Sequence, residues 1–125
     1  ERDADRNPVR LWRLTRTGCL AIPVSVEGVS EMQRAGKELA LVGAGVLLDP
    51  ETGKTRPLPQ GRAGDLPHKY WFSADGGFVA LLSGRPDEKP QGYLYRLDTL
   101  QEIGRWSGIG YGFDAQGTFY YGVAE

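Results

Sequence analysis

The chain has 125 residues, and its 15 Lys and Arg against 16 Asp and Glu leave a formal net charge of −1 at pH 7. This length fits one domain and rules out a multidomain enzyme, and the near-neutral charge argues against a nucleic-acid partner bound by phosphate neutralisation. The 18 Gly and 8 Pro indicate many short elements joined by tight turns. No apolar run approaches the roughly 20 residues of a membrane-spanning helix, so direct membrane insertion is not expected.

A charged segment over residues 1–8 opens the chain, and residues 9–125 are predicted to form a single β domain. Apolar and polar residues alternate along Val9–Leu14, and a polar turn separates this strand from a second apolar stretch that begins at Cys19. The two stretches predict a hairpin. Cys19 is the only cysteine, which excludes an internal disulfide and a cysteine-based zinc site, and its apolar neighbours predict a buried, inert thiol.

A ten-residue phrase then recurs, with copies that start at Met32, Phe72 and Phe113, spaced by 40 residues (72 − 32) and 41 residues (113 − 72). Each copy has a large apolar residue at the first place, an Ala two or three places later, and a Gly at the fifth place. These glycines are Gly36, Gly76 and Gly117. The pattern predicts a strand, a tight turn in which Gly accepts a positive φ, and a second strand that pairs back.

After each of the first two copies come two further apolar stretches separated by a polar turn. The pairs are Val46–Leu48 with Thr55–Leu58, around the turn 49–54, and Tyr93–Leu97 with Leu100–Trp106, around the turn 98–99. Each unit of about 40 residues is therefore predicted to be an antiparallel four-stranded sheet, with loops over 57–67 and 84–92. The chain begins with the outer hairpin of such a unit and ends with the inner hairpin of another.

The stretch Phe72-Ser73-Ala74-Asp75-Gly76-Gly77-Phe78-Val79-Ala80 resembles the blades of WD40-like and PD40 (TolB-type) β-propellers, in which an aromatic-Ser-Pro-Asp-Gly phrase joins two strands. The stretches 47–54 and 94–99 resemble the strand-turn phrase that follows in those blades. Ala74 stands where the phrase has Pro, and the chain contains no Trp-Asp dipeptide. The resemblance covers roughly residues 9–124 and implies an all-β fold of about three antiparallel, four-stranded propeller-like repeats.

A closed propeller has about four to eight blades, so about three blades leave apolar faces and strand edges uncovered. The two terminal hairpins would complete one blade, within one chain or between neighbours. We therefore expect completion by oligomerisation or by a longer parent chain. A compact β sheet unrelated to propellers is the alternative fold.

Little in the sequence points to catalysis or to a cofactor. The glycine-rich stretch Val42–Leu48 lacks the third glycine of a dinucleotide-binding turn, and Ser73 and Ser107 lie outside any Gly-x-Ser-x-Gly elbow. No catalytic, metal-binding or cofactor-binding residue is therefore predicted, and the protein is not expected to be an enzyme.

The aromatic residues suggest a binding surface instead. An imidazole beside aromatic rings could line a sugar-binding or peptide-binding surface, although packing of Trp71 in the core, with His68 on the loop that enters the strand, explains the same residues. Tyr120 and Tyr121 are consecutive and must face opposite sides of a strand, so one of them needs a second partner surface. The possible binding surface comprises His68, Tyr70, Trp71, Tyr120 and Tyr121.

The sequence thus predicts a non-catalytic binding or structural module for protein–protein interaction or self-assembly, with a protein partner or a second copy. The sequence leaves the compartment open, whereas the resemblance implies a bacterial envelope or another extracytoplasmic assembly. Two alternatives remain: the propeller portion of a larger hydrolase, and a small-ligand or glycan receptor that uses His68, Tyr70 and Trp71.

Overall fold

The computed structural model describes residues 8–62 and 64–124. Residues 1–7 of the predicted charged segment lie outside this range, and Pro8 begins the first strand. The described residues form strands and no helix, and all the strand pairs are antiparallel. The predicted all-β, antiparallel class is therefore confirmed.

The chain divides into two compact units, the first ending at Leu58 and the second beginning at Pro59. In the first unit, a hairpin precedes a four-stranded meander whose strands pair in chain order. The hairpin consists of β1 (Pro8–Thr15) and β2 (Gly18–Glu27). The meander consists of β3 (Glu31–Ala35), β4 (Glu38–Val42), β5 (Val46–Leu48) and β6 (Thr55–Pro57).

In the second unit the meander comes first and the hairpin follows. The meander consists of β7 (Leu66–Phe72), β8 (Phe78–Gly84), β9 (Gln91–Arg96) and β10 (Glu102–Trp106). The hairpin consists of β11 (Ile109–Phe113) and β12 (Phe119–Gly122). The two predicted four-stranded units and both terminal hairpins are thus present, and the predicted loops lie between β6 and β7 and between β8 and β9.

The three repeated glycines lie in hairpin turns and have positive φ angles of 67° at Gly36, 76° at Gly76 and 84° at Gly117. The turns differ in length, however. Ala35 pairs with Glu38 across two residues, whereas the Asp114 amide donates to the Thr118 carbonyl across three. Because a shift of one residue reverses the face of every side chain on a strand, the repeat predicts the turns but not which residues face the core.

The turn between β5 and β6 and the turn between β9 and β10 share one backbone hydrogen-bond pattern. The Gly53 amide donates to the Asp49 carbonyl at 2.8 Å, and the Leu100 amide donates to the Arg96 carbonyl at the same distance. Gly53 has φ 78° and Leu100 has φ 58°. Leu100 is the only residue other than glycine with a positive φ in the described part of the chain, so this turn holds a side chain where its counterpart has none.

The hairpin of the first unit packs on its meander through aliphatic side chains. Ile22 and Val26 of β2 form a buried cluster with Leu41 of β4 and Leu48 of β5. Burial of a side chain of this size contributes about 1.5–3 kcal/mol, so the cluster is a main source of stability in this unit.

Cys19 is exposed, so the prediction of a buried thiol is wrong. It pairs with Leu14 near the tip of the β1–β2 hairpin. Leu14 and Leu20 are also exposed there, because the buried cluster involves only the part of β2 from Ile22 onward. The apolar sequence around Cys19 is therefore a surface and not a core.

Candidate interaction site on the aromatic sheet

Aromatic rings join the hairpin of the second unit to its meander. Trp71 of β7 and Trp106 of β10 lie 5.7 Å apart between ring centroids, and Phe119 of β12 lies 5.5 Å from Trp71 and 5.1 Å from Trp106. The two tryptophans meet edge to face, as do Trp71 and Phe119. Pairs of this kind contribute about 0.5–1.5 kcal/mol beyond the area they bury.

Two glycines allow these rings to approach the backbone closely. A Cβ at Gly110 of β11 would lie 2.6 Å from the Trp71 ring and 2.8 Å from the Trp106 ring. Gly92 of β9 pairs with Trp106, and a Cβ there would overlap the indole. The glycine-rich sequence of β11 therefore serves the packing of the aromatic cluster.

An apolar groove of about 390 Å³ lies beside this cluster. Its apolar walls are Phe78, Leu94, Ile103, Trp106, Phe119 and Tyr121, and Gly104, Arg105, Gly117 and Thr118 complete the lining. β11 contacts β7 at one edge of the meander, whereas Leu94 and Ile103 belong to β9 and β10 on its other side. The groove therefore runs along the edge of β12 that faces away from β11. No described strand pairs with that edge.

The structure separates Tyr70 from the other predicted site residues. Its side chain is buried, and its hydroxyl donates a hydrogen bond to the Pro59 carbonyl at 2.7 Å. Burial raises the pKa of this phenol far above its ordinary value, with a smaller contribution from Tyr95. Tyr70 therefore holds the loop between the two meanders and presents no free ring face.

His68 and Trp71 lie on the same strand in different surroundings. His68 is exposed at an irregularity in the β7–β8 pairing, between Pro67 and Lys69. Trp71 is half-buried in the aromatic cluster, and the Lys69 ammonium lies 5.1 Å from the centroid of its ring, which places a cation–π contact at the sheet surface.

Tyr120 and Tyr121 have different partners. Tyr121 packs against Trp106 at 5.6 Å and lines the groove. The Tyr120 hydroxyl donates to the Asp114 carboxylate at 3.1 Å, and this hydrogen bond raises the pKa of Tyr120. Of the predicted surface, only Trp71 and Tyr121 belong to the aromatic cluster, and only Tyr121 lines the groove.

Sequence reasoning missed the remaining walls of the groove. Phe119 could have been found, because it lies two residues before Tyr121 and so on the same side of a strand. Leu94 and Ile103 carry no such signal, since their exposure depends on how far the two-stranded hairpin extends over a four-stranded sheet.

The lining of the groove is mainly apolar and aromatic. It contains no carboxylate, imidazole or thiol, and its polar side chains are those of Arg105, Thr118 and Tyr121. Across residues 8–62 and 64–124, no three His, Cys, Asp or Glu side chains cluster as a metal site would require. The same residues include no helix that could cross a membrane by its length and apolar character. No protein-family model, curated protein or solved structure matches the chain.

Proposed function

We propose that the protein is a non-catalytic, β-propeller-like interaction module that receives a β-strand from a protein partner at the free edge of β12. One observation carries this proposal: the apolar groove follows an unpaired strand edge. The WD40-like and PD40 (TolB-type) resemblance, with about three blades and an extracytoplasmic setting, is part of the same proposal.

The backbone supports strand addition. An unpaired edge presents N–H and C=O groups that an extended partner can satisfy, which supplies affinity that does not depend on sequence. The two meanders have four strands each, whereas the sheet of β11 and β12 has two. A strand added beside β12 would occupy the position that the third strand has in each meander.

The side chains support the same position. A strand beside β12 would lie over Leu94 and Ile103, and Ile103 is 46% exposed without it. Covering a side chain of this size contributes up to about 1.5–3 kcal/mol. Specificity would come from the alternate side chains of the added strand, which enter the groove between Ile103 and Tyr121.

The glycan or small-ligand alternative at His68, Tyr70 and Trp71 has less support, because Tyr70 is buried and its hydroxyl is bound to Pro59. If the chain were the propeller portion of a larger hydrolase, it would carry the same groove. That alternative therefore concerns the rest of a longer protein and makes no different claim about this site.

Selection of extended peptides from a display library on the folded chain tests the proposal. We expect the selected peptides to bind the wild type, to lose binding to Ile103→Asp, and to slow amide exchange along β12. Ile109→Asp is the matched control, because Ile109 is 58% exposed in the same unit and does not line the groove. Peptides that bind both variants equally would contradict the proposed site.

A further inference from the structure

Two strands of the chain carry nearly the same four residues in opposite environments. Leu11-Trp12-Arg13-Leu14 in β1 matches Leu94-Tyr95-Arg96-Leu97, which begins in β9. Tyr95 is 7% exposed and Leu97 is 2% exposed. Trp12 is 61% exposed and Leu14 is 79% exposed. The face of β1 that carries Trp12 and Leu14 therefore lacks the cover that its counterpart has.

The strand pairing defines which face this is. Trp12 pairs with Ala21 and Leu14 pairs with Cys19, so these four residues share one side of the hairpin. Ile22, the next residue after Ala21, points to the other side and joins the buried cluster of the first unit. We call the side that carries Trp12, Leu14, Cys19 and Ala21 the outer face. Exposed apolar faces of this kind mark interaction sites, and Trp is enriched among the residues that dominate binding energy.

The two hairpins are complementary halves of one sheet. The β11–β12 hairpin contains the Gly117 turn, which corresponds to the turns of β3–β4 and β7–β8, the first two strands of each meander. In the β1–β2 hairpin, the stretch Leu11–Leu14 of β1 resembles the stretch that begins at Leu94 in β9, the third strand of a meander. A β1 strand added to β12 would therefore follow it as β9 follows β8 and give a sheet in the order β11-β12-β1-β2.

We infer that the strand received by the groove is β1 of a second copy of this chain, with Trp12 and Leu14 of the outer face covering Leu94 and Ile103. This pairing uses the groove described above and so rests on the proposed function. Each copy offers one outer face and one groove, so the contact is heterologous and generates closed rings or open chains.

Sedimentation across a concentration series tests the inference. We expect the wild-type chain to associate reversibly and Trp12→Lys to weaken association by at least about thirtyfold, as loss of a central tryptophan does in other interfaces. Leu20→Lys is the matched control. Leu20 is also exposed near the hairpin tip, but it pairs with Arg13 and lies on the opposite face, so its replacement should change association by less than about threefold.

Cross-linking through the single native cysteine tests the geometry. Wild-type protein is mixed with a Cys19→Ser, Ile103→Cys variant and treated with a short bis-maleimide. We expect a mixed dimer that joins Cys19 to the thiol introduced at position 103, with much less product from a Cys19→Ser, Ile109→Cys control. Equal yields from the two variants would overturn the predicted docking position.

The failures of the two proposals are distinguishable. If the wild type stays monomeric while selected peptides still require Ile103, the second-copy inference falls and the interaction module stands. If the chain associates but Trp12→Lys and Ile103→Asp leave association unchanged, the inference falls as well. If, in addition, no selected peptide depends on Ile103, the proposed function falls with it.

Discussion

Each unit packs a hairpin on a four-stranded meander, but the two units use different side chains. The first unit uses the aliphatic residues Ile22, Val26, Leu41 and Leu48. The second uses rings, with Trp71 and Trp106 on the meander and Phe119 and Tyr121 on the hairpin. The hairpin precedes the meander in the first unit and follows it in the second.

The difference shows what large rings demand of a backbone. In the second unit the Trp106 ring lies against the main chain at Gly92, and the Trp71 ring lies against Gly110, where side chains would collide with them. In the first unit a Cβ at Gly43 would first meet Gly28 and Ser30, and one at Gly53 would first meet Pro23, so neither glycine makes room for the buried aliphatic cluster. Large rings can therefore pack in this interface only because the neighbouring strands carry glycine where the rings meet the main chain.

The largest expected effect comes from removing the central ring. Trp106→Ala should lower the free energy of unfolding by about 4 kcal/mol, and Leu48→Ala in the aliphatic cluster should lower it by about 3 kcal/mol. Trp12→Ala is the control, because Trp12 is largely exposed within one chain; at a protein concentration at which the chain is monomeric, its loss should cost less than about 0.5 kcal/mol. Urea denaturation followed by circular dichroism measures all three. Similar costs at Trp12 and Trp106 would contradict the assignment of Trp106 to the core.

The glycine requirement gives the next largest effect. Gly92→Ala should destabilise the protein by about 2–3 kcal/mol, because the new Cβ would overlap the Trp106 indole and the ring must move. Gly104, on the adjacent strand, has open space where a Cβ would lie, so Gly104→Ala should change stability by less than about 0.5 kcal/mol. The same denaturation measurement compares the two. Equal effects would mean that Gly92 is not needed for ring packing.

Local chemistry explains what the sequence predicted well. Gly36, Gly76 and Gly117 mark turns because a positive φ favours glycine regardless of distant contacts, and all three predictions are confirmed. The alternation in β1 and β9 likewise predicts strands. These features depend on a few neighbouring residues, which a single sequence displays directly.

Long-range packing explains what the sequence missed. Cys19 has the same apolar neighbours whether the hairpin tip is covered or not, so its exposure could not be read from them. Trp71 and Trp106 come from the first and last strands of one meander and meet only because the sheet aligns them under Gly110. Of the five predicted surface residues, Tyr121 is the one that lines the groove, and its partners come from strands far away in the chain.

Gly53 and Leu100 occupy the same backbone position in the two meanders, so substitutions there compare the two turns directly. Gly53→Ala should cost about 2 kcal/mol, because a Cβ in this left-handed conformation is strained and would also press on Pro23. Leu100→Gly should change stability by less than about 0.5 kcal/mol, because relief of strain of about 1 kcal/mol offsets the greater chain entropy of glycine. Thermal unfolding of both variants tests the pair. A large stabilisation from Leu100→Gly would contradict this balance, because the relief of strain would then exceed the entropic cost of glycine.

The smallest expected effect is a local response to acid in the turns of the second unit. The Asp75 carboxylate accepts hydrogen bonds from the Gly77 amide at 2.9 Å and the Ser73 hydroxyl at 2.8 Å, which lower its pKa. The Asp114 carboxylate accepts from the Thr118 amide at 3.0 Å, and its pKa is lowered chiefly by that bond. The corresponding turn of the first unit, Gly36-Lys37, contains no carboxylate.

Because the folded pKa of both aspartates lies below the unfolded value of about 3.9, the stability they provide is present above that pH and is lost as the pH falls through the folded pKa. Amide exchange at Gly77 and Thr118, corrected for intrinsic rates, should therefore accelerate in acid, whereas exchange at Lys37 should not. Asp75→Asn should remove the acid response at Gly77 and leave Thr118 unchanged, and Asp114→Asn should do the reverse. An equal acid response at Lys37 would assign the effect to the whole fold, because that turn has no carboxylate to protonate.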